Sequence, residues 1–294
     1  MPAAAVNSLE IHYETFGSPS DPAILLIMGL GTQMIYWHTE FCQQLADNGY
    51  FVIRYDNRDV GKSSYLKDQP VPDLTKLLMS VTLGGKPEAP YSLQDMAVDA
   101  LGLLDHLGVG RAHLVGMSMG GMIAQTIAFT YPDRVNSLTS IMSSTGDFTL
   151  PQAKPEAMAT LTQSIPATRE DYIRVTKSIW RVLSGPVAEF EEDRYAELAG
   201  EAFDRGLNAA GFVRHFAAII TDGDRTSRLA GITTPTLVVH GTLDPLIPYE
   251  HGVATSRAIE SSSLVTIEGM GHTLPAQYWP EIQRAILSLI RTVS

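Results

Sequence analysis

Through the first half of this chain, short apolar runs bounded by turn residues alternate with amphipathic helical stretches, and that alternation narrows the fold more than any other feature. "PAILLIMG" and "FVIRYD" are too short for helices and carry the apolar density of buried strands. Between them, "MIYWHTEFCQQLADNGY" has helical spacing and ends at Asn48-Gly49. "YSLQDMAVDALGLLDHLGVG" predicts a second helix, with Ser92 as N-cap, Asp95 three residues on and Gly108 past its end. "RAHLVG" then reads as strand, "MGGMIAQTIAFTYP" as helix and "VNSLTSIMSS" as strand, after an exposed first strand in "LEIHYETFG". Strand and helix in turn predict an α/β fold, a mostly parallel twisted sheet covered by helices on both faces.

The rhythm changes near residue 146. From there to about residue 229 the signals are helical only, and the sheet pattern resumes with "PTLVVHG" and "SSLVTIEG" before a closing helix in "AQYWPEIQRAILSLIRTV". This predicts a core domain of residues 1–145 and 230–294, with residues 146–229 as a helical cap, or lid, over the strand ends. Residues 66–91, rich in Pro and Gly, read as a long surface loop.

Composition sets outer limits. With 45% apolar and 18% charged residues the chain is of the soluble globular class. A net charge of -11 with no basic run argues against a nucleic-acid partner. The strongest apolar run, "AILLIMGL", is too short to span a bilayer. The N-terminal stretch lacks the pattern of a secretory signal, and Cys42 is the one cysteine, so a cytoplasmic location is expected. Cys42 lies in a helical pattern and reads as a packing residue.

Chemistry enters at "VGMSMGG". Gly116 to Gly120 fits G-x-S-x-G, a strand-to-helix turn so tight that side chains two residues either side of the serine would collide. In a chain with 24 glycines the bare string could arise by accident, but here a strand signal precedes it and a helix signal follows. A serine hydroxyl needs a base, and the base needs an orienting acid. Both should follow in the order serine, acid, histidine, in loops after sheet strands. "VVHGTLDPLIP" places Asp244 in such a loop, and "GMGHTLP" places His272 in the next. Ser118, Asp244 and His272 are therefore the expected catalytic triad. Asp147, after the strand carrying Ile141, is the alternative acid; Asp244 is preferred for its place at the usual strand end. The oxyanion should meet the N–H groups of Met119, at a helix start, and of Leu30, in "MGLGTQ".

"MGLGTQMIYW", "RYDNRDVGKSS", "VGMSMGG", "VVHGTLDPLIP" and "GMGHTLP" come in the order and spacing of the α/β-hydrolases, which the chain resembles over essentially its full length. Among them it is most similar to bacterial serine carboxylesterases and methylesterases of the aclacinomycin methylesterase type. In "RYDNRDVGKSS", Asp59 stands where that family usually has glycine, while Asp56 and Arg58 read as structural. Met28 stands where histidine is usual, which makes the region behind the oxyanion loop more apolar. Met28, Trp37 and Trp180 are the expected pocket residues.

These residues imply a serine hydrolase acting on small carboxylic esters through an acyl-enzyme. Alternatives are the same triad used for perhydrolysis, carbon–carbon bond hydrolysis or acyl transfer, or a non-catalytic ligand-binding protein on the same scaffold. No metal motif and no nucleotide-binding fingerprint appears, so no metal or cofactor is expected. The partner is a small-molecule ester, with the chain a monomer or homodimer. A histidine base works only when neutral, so activity should fall in acid.

Overall fold

The computed structural model describes residues 2–293. Its strands are β1 (Ala3–Val6), β2 (Leu9–Phe16), β3 (Ala23–Ile27), β4 (Phe51–Tyr55), β5 (Ala112–Met117), β6 (Val135–Ile141), β7 (Thr236–Gly241) and β8 (Ser262–Ile267). Its helices are α1 (Thr39–Ala46), α2 (Leu74–Thr82), α3 (Leu93–His106), α4 (Met119–Thr130), α5 (Pro155–Thr160), α6 (Arg169–Ser184), α7 (Glu192–Arg205), α8 (Ala209–Asp222), α9 (Thr226–Leu229), α10 (Tyr249–Ala258) and α11 (Trp279–Arg291).

The eight strands form one sheet in the order β1-β2-β4-β3-β5-β6-β7-β8. β1 and β2 pair antiparallel, as do β2 and β4; every later pairing is parallel. Parallel strands need helical crossovers, and these cover both faces. β3 shows the consequence residue by residue. Leu25 and Ile27 join the core beneath α3 and α4, while Ile24 and Leu26 join the core beneath α1 and α11. Ser92 and Asp95 close a reciprocal capping box at the start of α3, which fixes where that helix begins.

Two local expectations change. The stretch 66–91 is not all loop, because Asp73 accepts the N–H groups of Thr75 and Lys76 and starts α2, whose Leu77 packs against Ala217 and Ile220 of α8. The helix expected across residues 34–50 is two pieces, a 3₁₀ turn at Met34–Tyr36 and then α1, with Trp37 extended between them. Between β6 and β7, α5 and α7 both pack on α6, whereas α8 packs on α2 and α3, and α9 on α4 and α10. Among the described residues no helix is long and apolar enough to cross a membrane.

Candidate active site

β5 and α4 meet at Ser118, which has φ 56° and ψ -122°, a backbone conformation that side chains rarely adopt. Its surroundings hold it there. The Ser118 N–H donates to the carbonyl of Ile141 at the end of β6 (2.9 Å), and its own carbonyl accepts the Ser143 hydroxyl (2.8 Å). The glycines of the elbow are steric necessities: a Cβ on Gly116 would lie 2.1 Å from the carbonyl oxygen of Gly120, and one on Gly120 would lie 2.0 Å from that of Ile27.

The loops after β7 and β8 bring Asp244 and His272 to this turn. His272 Nε2 lies 3.0 Å from Ser118 Oγ, and Nδ1 lies 2.7 Å from Asp244 Oδ2. Asp244 accepts on its other oxygen too: its Oδ1 takes the N–H groups of Leu246 (2.9 Å) and Ile247 (2.8 Å). With Nδ1–H donated to the carboxylate, Nε2 is free to accept the serine proton. Asp147, the alternative acid, is not brought to His272. Its Oδ1 accepts the N–H and hydroxyl of Thr149, both at 2.8 Å, an Asx turn in the loop after β6.

The loop after β3 runs against the serine, so a Cβ on Gly29 would sit 3.2 Å from Ser118 Cβ. Among the described residues neither the Leu30 nor the Met119 N–H has a partner within the protein. Met119 is the first residue of α4, where helix N–H groups have no intrahelical acceptor and the dipole favours negative charge.

Ser118 and His272 open into a cavity of about 270 Å³. Met28, Met117, Met122, Met142 and Met158 share its wall with Trp180, so five methionines line the cavity at Ser118. Met28 and Trp180 thus both line this cavity. Trp37 does not. It is fully buried beside Phe41 in the core under α1, and Tyr36 takes the place on the cavity wall, its hydroxyl accepting Trp180 Nε1–H at 3.3 Å. The 3₁₀ turn ends at Tyr36 and Trp37 is extended beyond it, so the two side chains leave the backbone in different directions.

Asp147 is the one carboxylate among the residues lining this wall. Burial and the Arg194 guanidinium bring His38, on the cavity wall, down to about 4, and burial raises the Tyr36 phenol far above its ordinary value. Burial also pushes the Cys42 thiol up to about 12, so this residue is a core component. Among the described residues no three His, Cys, Asp or Glu side chains are grouped to hold a metal ion.

The helices between β6 and β7 supply contacts that the sequence did not reveal. The His272 N–H donates to the carbonyl of Leu183 at the end of α6 (2.7 Å). Arg205 of α7 pairs with the buried Asp56, and Arg214 of α8 with the buried Asp59. His215 of α8 reaches the loop of Leu30 itself.

Comparison with known proteins places this geometry among relatives. A family model described as alpha/beta hydrolase fold matches residues 22–276. Rhodomycin D methylesterase of Streptomyces sp. strain C5 is 30% identical, with 100% of both chains covered. 3-Oxoadipate enol-lactonase 2 of Acinetobacter baylyi is 27% identical over 89% of this chain and 86% of its own. Among solved structures, the meta-cleavage product hydrolase of Pseudomonas fluorescens IP01 has a TM-score of 0.77 at 15% identity, covering 100% of this chain and 98% of that one, which is a likeness of fold.

Proposed function

The chain belongs to the α/β-hydrolase fold family, and on that footing we propose that it hydrolyses small carboxylic esters, methyl or short-chain, through an acyl-enzyme on Ser118. The observation that carries this reading is the continuous hydrogen-bonded line from Ser118 Oγ through His272 to Asp244, at 3.0 and 2.7 Å, opening on an apolar cavity. The methylesterase and enol-lactonase relatives act, by their names, on ester bonds, which supports the same reaction class here.

The chemistry follows from the atoms. Ser118 Oγ attacks the ester carbonyl carbon as its proton passes to His272 Nε2. The oxyanion that forms accepts the N–H groups of Leu30 and Met119, and Asp244 stabilises the imidazolium. The carbon–oxygen bond to the alcohol then breaks, and the alcohol leaves with the proton from His272. Water attacks the acyl carbon, gives its proton to His272, and the acid departs as that proton returns to Ser118. Ester and water become acid and alcohol, with the protein unchanged.

Turnover of p-nitrophenyl esters, acetate through octanoate and a benzoate, tests the reading. The native chain should hydrolyse at least one of them, and Ser118→Ala should lower kcat by at least about a thousandfold. If the alanine variant keeps its activity, the Ser118 assignment is wrong.

A further inference from the structure

The loop after β3 is held by α8, and the contact is specific. His215 is fully buried, and its Nδ1 accepts the Gly31 N–H at 3.2 Å while Nε2–H donates to the carbonyl of Arg58 at 2.8 Å. Only the neutral ring with its proton on Nε2 satisfies both partners. Burial keeps it in that form, bringing His215 down to about 4. One turn earlier in α8, Phe212 covers the same glycine: Gly31 has φ +59°, and a Cβ there would lie 2.5 Å from the Phe212 ring.

The carbonyls of the loop are pinned as well. The carbonyl of Met28 accepts the Asn57 side-chain amide (3.0 Å), that of Gly29 accepts the Thr32 N–H (3.3 Å), and that of Leu30 accepts the Thr32 hydroxyl (3.0 Å). The Gly31 N–H goes to His215. The neighbouring Leu30 N–H has no protein partner among the described residues.

We propose that His215 is a positioning residue for ester hydrolysis, its Nδ1 fixing the Gly31 peptide so that the neighbouring Leu30 N–H is aimed at the oxyanion. This rests on the Ser118 reading above. It assigns to one side chain of the helices between β6 and β7 a part in transition-state geometry, beyond closing over the substrate.

The two ring nitrogens can be separated by substitution. His215→Asn keeps an acceptor near the Nδ1 position and loses the donor to Arg58. His215→Gln keeps a group near the Nε2 position and loses the acceptor for Gly31, and His215→Leu loses both. A displaced oxyanion donor costs on the order of 10- to 100-fold in kcat, with KM little changed. The expected order of kcat is therefore native, then Asn, then Gln and Leu together, with KM within about threefold throughout. Affinity for a boronic acid, whose tetrahedral serine adduct presents an oxyanion, should fall in the same order.

A purely structural role gives a different result: kcat would follow melting temperature, and Asn and Gln variants of equal stability would be equally active. That outcome, or losses confined to KM, overturns the assignment. If His215→Leu does not fold, the Asn and Gln pair still decides. Ser118→Ala is measured beside them. Activity surviving that change removes the Ser118 reading and this proposal with it, whereas an inactive Ser118→Ala with indistinguishable Asn and Gln variants removes only the role of His215.

Discussion

Asp59 grips Arg214 with both carboxylate oxygens, accepting Nε–H and an Nη2 hydrogen at 2.7 Å each, and both side chains are almost wholly buried. Asp59 sits at φ +65°, a conformation that suits glycine and that aspartate tolerates better than most residues. Burial alone would push its carboxyl up. The bonds from Arg214, the Leu66 N–H and the Tyr91 hydroxyl outweigh burial and hold it below its ordinary value. The pair ties α8 to the loop after β4, the same loop whose Arg58 carbonyl holds His215.

Asp59→Gly relieves the backbone but leaves a guanidinium buried without its partner. The expected loss is about 3 kcal/mol of unfolding free energy, and Asp59→Gly with Arg214→Leu should recover more than half of it. Urea denaturation of the native, single and double variants measures this directly. A single variant as stable as the native chain would show that the ion pair holds nothing together.

Asp244 and Asp147 compete for one role in the sequence, and substitution separates them. Asp244→Asn should lower kcat by about 10³- to 10⁴-fold without unfolding the chain, since an amide at that site favours the wrong histidine tautomer. Asp147→Asn should stay within about threefold of native, because Asp147, although on the cavity wall, is bonded to Thr149 and not to His272. Equal losses in the two variants would contradict the assignment.

Stability should depend on pH through buried imidazoles. His38, His113 and His215 are each brought down to about 4, burial being the main cause in all three. In the unfolded chain such groups take up protons near pH ~6.5. As pH falls from about 6.5 to about 4 the unfolded state binds protons that the folded state refuses, so stability falls, by on the order of 1 kcal/mol per histidine per pH unit. Above this window these residues add no slope. Asp59 acts in the same direction at lower pH: its contribution is complete above the ordinary carboxylate value and is lost only in stronger acid. Urea midpoints at about pH 7, 6 and 5 test the slope, and His113→Gln should flatten it by about one quarter, since burial also lowers His240. A flat profile in the native chain would rule out neutral burial of these rings.

Trp180 stands between the cavity at Ser118 and a second space of about 190 Å³ lined by Gln33, Asn208 and Phe212, and it borders both. Trp180→Ala should join them. The ratio of kcat/KM for octanoate over acetate esters should rise by about tenfold or more, since each buried methylene is worth about 1 kcal/mol in such a pocket. An unchanged ratio would place the acyl chain elsewhere.

Much of this architecture is legible in the sequence because the sheet is buried on both faces. β3, β4 and β5 read as apolar runs for that reason, while β1, a four-residue edge strand with three alanines, gives no signal. α2 hides among Pro and Gly, and its Met79 and Leu78 are exposed, so no clean apolar face marks it. The hydrogen-bonded line of Ser118, His272 and Asp244 is readable because each member follows a strand. Trp37 is misplaced because the turn ends at Tyr36, a break that the helical spacing of the sequence hides. Arg214 and His215 look like ordinary helix residues, and their partners lie more than 150 positions away. Only Asp59, a carboxylate at a glycine position, signals from the sequence that a buried cation must be found for it.

The methionine wall has a chemical cost. Thioethers yield to peroxide, and each sulfoxide would put a polar, chiral S=O where an apolar surface now faces the substrate. A peroxide molecule admitted to Ser118 would stand among five such sulfurs. Hydrolysis by water leaves that wall intact turnover after turnover, whereas sustained perhydrolysis would corrode the cavity that makes it possible.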